Sequence, residues 1–166
     1  MNTCDDVKWP EYWPQVARDI AGAVKAAVTA VQDESASAAV EAFGELDALP
    51  FEQVVSVQSG IVRELLEMAH PDGLAGEDIQ AVLERCVRST VPWFPELDVA
   101  ALAEVLTGAL GVVDVDERPQ TLAHTAYLQA ATVVIVDLLR IVRIPAVVAI
   151  RNAVGEVARA ETVEMP

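Results

Sequence analysis

TLAHTAYLQAATVVIVDLLRIVRIPAVVAI, residues 121–150, is the stretch that decides the fold. Twenty-one of its 30 residues are apolar, and only Asp137, Arg140 and Arg143 are charged. A surface helix needs one apolar stripe, whereas a helix apolar on most sides must be buried on most sides. The stretch therefore predicts either the central helix of a bundle or one side of a subunit interface. A membrane span is disfavoured, because the run free of charged and histidine side chains, Thr125–Val136, has 12 residues against the ~20 that a bilayer requires. The expected helix covers residues 119–144. Pro145 must kink or break it, since proline lacks an amide proton and its ring clashes one turn back.

Working outward, helical periodicity is readable along most of the chain, with no convincing two-residue alternation. Val16, Ile20, Val24, Val28 and Val31 mark an amphipathic helix after Pro10 and Pro14, and Ser35–Gly44 reads as a shorter one carrying Val40 and Phe43. A third starts near Pro50 with Phe51, Val54, Ile61, Leu65 and Met68 as its buried set, and stops at His70-Pro71-Asp72-Gly73. Ile79, Val82, Leu83, Cys86 and Val87 define a fourth, closed by Pro92-Trp93-Phe94-Pro95. Asp98 is placed to cap a fifth through Leu110. Arg151–Ala160 continues beyond Pro145, and residues 161–166 are expected to fray. The fold class is thus all-α: one domain of six or seven helices around the 119–144 helix, with residues 1–13 as an N-terminal arm. Residues 45–62 and 96–113 match at six of 18 positions, which leaves open a duplicated helix pair or two helices of ordinary composition.

Composition narrows the chemistry. Ala and Val, 27 of each, supply more than half of the apolar residues, and aromatics are only 5%, so the core must form by close approach of small side chains. Net charge is −15. Nucleic acid and anionic membranes are therefore poor partners, since both require cations to displace counterions. A basic protein partner or a solvated repulsive surface fits better. Two cysteines, Cys4 and Cys86, are too few for a disulfide framework, and the MNTCDDVKWPEYW start lacks the features of a signal peptide. These features lead to an expected cytoplasmic protein with no cofactor.

Each candidate site carries a bland alternative. Glu64, Glu67 and His70 share one helix face, with the Glu-x-x-His spacing of carboxylate-bridged metal bundles. The other histidine, His124, has Thr121 three residues before it, so the symmetric di-iron pattern is excluded. The Glu64–Glu67 pair is similar to that of all-helical nucleotide pyrophosphatases, but their downstream Glu-x-x-Asp element is absent. A solvated face ending in a capping histidine is the alternative. No GxSxG or glycine-rich phosphate loop occurs. Gly22, Gly60 and Gly108, inside expected helices, point to close helix contacts.

Residues 118–160 carry +3 and the remainder −18. On a straight helix, Arg140, Arg143 and Arg151 lie within about 80° of arc, near Gln129 and Thr132. That stripe reads either as a site for a carboxylate or phosphate or as the solvent line of the helix, with Asp137 pairing Arg140. Trp9, Trp13, Trp93 and Phe94 fall in two proline-flanked segments. They read as a partner surface or as one satellite cluster pinning the arm. The leading expectation is a non-catalytic protein acting by protein–protein association as a homodimer. The alternative is a domain binding an anionic small molecule, and a weaker one is a metal-dependent hydrolase.

Overall fold

A computed structural model describes residues 7–109 and 123–163 of the chain, with side chains through residue 161. Seven α-helices form among them: α1 (Gln15–Gln32), α2 (Ala36–Asp47), α3 (Phe51–Ala69), α4 (Gly76–Thr90), α5 (Val99–Ala109), α6 (His124–Val142) and α7 (Ala146–Val163). The expected start of the long helix at residue 119 lies outside the described residues.

Local chemistry sets the helix ends. The Ser35 side chain accepts from the Ala38 amide at 3.3 Å, and Asp98 accepts from the Ala101 amide at 3.2 Å, each satisfying a donor that the first turn leaves orphaned. At α4 the Asp78 carboxylate reaches back to the Ala75 amide at 2.8 Å. Pro145 breaks the apolar stretch rather than bending it. α6 ends at Val142, Arg143 turns left-handed (φ 61°, ψ 41°), and the Pro145 carbonyl accepts from the Val148 and Ala149 amides at the start of α7.

α6 is the centre of the domain. Helices α1 to α5 all pack on it, and α7 packs on α1 and α3. From Tyr127 to Leu139 every residue of α6 is buried except Gln129, which is half-buried. By length and composition α6 is apolar enough to cross a membrane, but here that apolar surface faces the chain's own helices. Contacts along α3 fix the directions. Phe51 stacks on His124 (centroids 3.7 Å apart) and Gln58 bonds Thr132 at 3.2 Å, so α3 and α6 run parallel. Asn152 bonds Glu64 at 3.3 Å while Ala153 faces Gly60, so α7 returns antiparallel. The end of α3, the end of α6 and the start of α7 therefore meet at one end of the bundle.

Small side chains let the helices close in. α1 alone buries Ala21, Ala23, Ala27 and Ala30, and Ala130, Ala131, Ala149 and Ala153 are buried in α6 and α7. The glycines are less constrained than expected. A Cβ at Gly60 would meet Ala153 Cβ at 3.7 Å, and one at Gly108 would meet the Tyr127 hydroxyl at 3.9 Å, ordinary contacts that alanine also tolerates. Val40 and Met68, expected in the core, are 61% and 46% exposed. Val40 lies outside the face of α2 that buries Ala39, Ala42, Phe43 and Leu46, and Met68 sits in the last turn of α3, past the depth of its neighbours.

The aligned segments 45–62 and 96–113 are not equivalent at their shared ELD start. Glu45-Leu46-Asp47 forms the last turn of α2, whereas Glu96-Leu97-Asp98 leads into α5. The second matched glycine, Gly111, lies outside the described residues.

Candidate functional site

The arginine stripe depends on a straight helix, and the chain is not straight there. The left-handed Arg143 and Pro145 place Arg140 and Arg143 at the end of α6 and Arg151 on the returning α7. All three are exposed, and none forms an ion pair among the described residues. The line mates assigned to the stripe separate too. Thr132 is buried, donating to the Leu128 carbonyl at 2.8 Å and accepting from Gln58.

Asp137 does not pair with Arg140. Its carboxylate, 9% exposed, receives Arg85 of α4, with Nη2 at 3.0 Å and Nε at 3.3 Å from both oxygens. A buried carboxylate requires such charge-assisted bonds. Cys86 lies beside this pair. Burial first, and the Asp137 carboxylate second, push its thiol up to about 12, against the opposing pull of Arg85 and Arg140. The folded chain thus holds this proton more tightly than the unfolded chain, whose thiol has the ordinary value of 9.0. The resulting stability is complete below about pH 9 and is lost as pH rises toward 12. In a Cys4→Ser variant, Cys86 should resist maleimide at pH 8 until denaturant is added, because the thiolate is the nucleophile. Stoichiometric labelling of the native protein within minutes would refute that.

The metal candidates do not converge. Glu64 accepts from Asn152, Glu67 is exposed, and His70 ends α3 with Nδ1 3.2 Å from the Leu66 carbonyl and Nε2 3.7 Å from Asp78. No group of three potential ligands occurs among the described residues.

The aromatic segments form two separate clusters, not one. Trp93 and Phe94 pack together (centroids 5.7 Å), and Phe94 meets Phe43 of α2 edge-on at 5.9 Å. The Trp93 indole N–H donates to the Ser89 carbonyl at 3.1 Å. Trp9 stacks on Trp13 (6.1 Å, 14°) at the other cluster. Trp13 is 5% exposed because it lies against α7 at Gly155, where a Cβ would be 3.8 Å from its ring. This arm is therefore docked, and the docking creates a cleft of about 450 Å³. Pro10, Tyr12, Trp13 and Pro14 form one wall, and Arg151, Gly155, Ala158 and Arg159 form the other. Arg159 donates from Nε to the Gly155 carbonyl at 3.2 Å.

Two other clefts among the described residues differ in charge. The α1–α2 groove includes Asp33, Glu41 and Glu45 beside Lys25, and the α3–α7 groove includes Glu52 and Glu156 beside Arg63. Among the described residues the arm cleft is lined by two arginines and no carboxylate, in a chain with 26 acidic and 11 basic residues. The sequence singles out Trp13 and Arg151 separately, and the fold brings them together. Sequence reasoning misses Arg159 and Tyr12, which stands 86% exposed. The spacing Arg151-x3-Gly155-x3-Arg159 on one helix is the signal that could have found the former.

Fold and cleft together define a small all-α domain with a cationic, aromatic recess beside its N-terminal arm. Comparison with protein-family models, curated proteins and solved structures finds no match to this chain.

Proposed function

We propose that this chain is a non-catalytic recognition domain that binds a small anionic ligand in the cleft between the N-terminal arm and α7. The observation that supports this reading is the lining: among the described residues, Arg151 has no ion pair and faces a recess without carboxylates, on a strongly acidic protein. Arg63, by comparison, lines the α3–α7 groove together with Glu52 and Glu156, whereas the described lining around Arg151 offers no such counter-charge. The cleft also has the size of a small-molecule site, with apolar walls and few polar groups. Trp13 gives the recess a firm floor, because its ring is fixed against Gly155 and stacked on Trp9.

The sequence-based ground for a homodimer is the apolar helix, and that helix is covered by α1 to α5. The apolar surface left for self-association is different. Three exposed apolar side chains gather at one end of the bundle, where Met68, Ile141 and Val148 are 46%, 45% and 42% exposed.

A thermal-shift screen of phosphate, citrate, acetate and aromatic acids tests the proposal. A ligand at 100 times its Kd should stabilise the fold by about 2.7 kcal/mol. Arg151→Gln should lose that shift while keeping the unliganded Tm, since the side chain is exposed. A screen with no shift, or a shift that survives Arg151→Gln, counts against it.

A further inference from the structure

The ligand's chemistry can be read further, on the basis of that same cleft. We infer that it is a flat aromatic ring carrying an anionic group, with the ring on Tyr12 and the anion on Arg151. Tyr12 is the most exposed large apolar side chain among the described residues. It stands on the lip of a recess whose inner wall, Trp13, is buried. The turn that bears it is fixed, since the Trp13 amide donates to the Pro10 carbonyl at 3.1 Å and Pro10 and Pro14 bracket it. A ring on a fixed turn, with nearly all its surface in water, gains from a second flat surface laid on it. The opposite wall offers guanidinium groups. Arg151 and Arg159 are two helical turns apart, about 12 Å along the axis. The Arg159 bond to the Gly155 carbonyl draws its head back toward Arg151. A carboxylate or a phosphate is matched by the fork of one guanidinium, which Arg151 supplies.

Among the described residues, the nearby carboxylates line other surfaces. Glu156 lines the α3–α7 groove instead, and Glu11 precedes Tyr12 without lining the recess. The surroundings favour a small ligand over a macromolecule. Of the other large exposed apolar side chains, Val148 alone is on α7, and Val40, Met68, Val99 and Ile141 are on other helices. A protein partner needs about 800 Å² on each side.

Isothermal titration calorimetry on the full chain at low salt tests the inference with four probes: phenyl phosphate, benzoate, inorganic phosphate and benzyl alcohol. At least one of phenyl phosphate and benzoate should bind about tenfold more tightly than inorganic phosphate, the gain expected from one stacked ring. The preferred probe identifies the anion as phosphate or carboxylate. Tyr12→Ala should erase the tenfold difference, and Arg151→Gln should abolish binding of every anion. Circular dichroism confirms that both variants fold. If inorganic phosphate binds as tightly as phenyl phosphate and Tyr12→Ala changes nothing, the aromatic inference fails while the anion-binding function stands. Absence of binding by any anion overturns both. Benzyl alcohol binding that equals phenyl phosphate and survives Arg151→Gln also overturns both, leaving an apolar recess.

Discussion

Val134→Glu should abolish folding, while Val148→Glu should leave a folded protein. Val134 has no solvent exposure and sits midway along α6, the helix that five others cover. A carboxylate there exchanges water for an apolar site with no partner, at a cost of several kcal/mol. Natural domains hold only about 5–15 kcal/mol in total. Val148 is 42% exposed, so its glutamate reaches water and the effect on stability stays near 0.5 kcal/mol. Circular dichroism melts separate the two, and a cooperatively folded Val134→Glu protein would sink the placement of α6. Light scattering on the same samples reads self-association. A dimer built on the exposed end of the bundle falls to monomer in Val148→Glu.

The Arg85–Asp137 pair gives the second large effect, and an asymmetric one. Removing Arg85 leaves a buried carboxylate without its partner, whereas removing Asp137 leaves an arginine whose side chain is already 40% exposed. Arg85→Ala should therefore cost roughly 3 kcal/mol, the low end for breaking a buried pair because one member is partly solvated. Asp137→Asn should cost about 1 kcal/mol or less. Replacing both with leucine should recover most of the loss, since an apolar pair has no desolvation cost. Denaturant titration of the three variants checks the order, and equal losses in the two single variants would contradict it.

How much of the fold is legible in the sequence follows from which interactions are local. Helix positions come from periodicity and from breakers, so Pro50, the Pro71–Gly73 turn and Pro145 mark three helix ends by their backbone chemistry alone. The depth of a side chain is not local. Met68 and Val40 have apolar character but lie where no other helix covers them. Gln58, fully buried, occupies a place on the apolar face between Val54 and Ile61. Its polarity suggests solvent, while its amide hydrogens go to Thr132 and the Leu128 carbonyl. Its carbonyl oxygen has no hydrogen-bond partner among the described residues. Pairings across the fold are also out of reach. Arg85 and Asp137 are 52 positions apart, so the nearer Arg140 is the partner that helix spacing suggests. The arm cleft joins the two ends of the described chain, and its lining cannot be read from either end alone.

The place of α6 in the chain has a consequence for biosynthesis. The five helices that cover it, α1 to α5, all precede it, and chains emerge from the N-terminus at about 5–20 residues per second. The longest apolar helix of the described residues, long enough to be mistaken for a membrane span, is thus made after its covering helices. It emerges next to partners that already need it, and is sequestered as it appears. A chain with the same helices in reverse order would present that segment first, with nothing yet made to cover it.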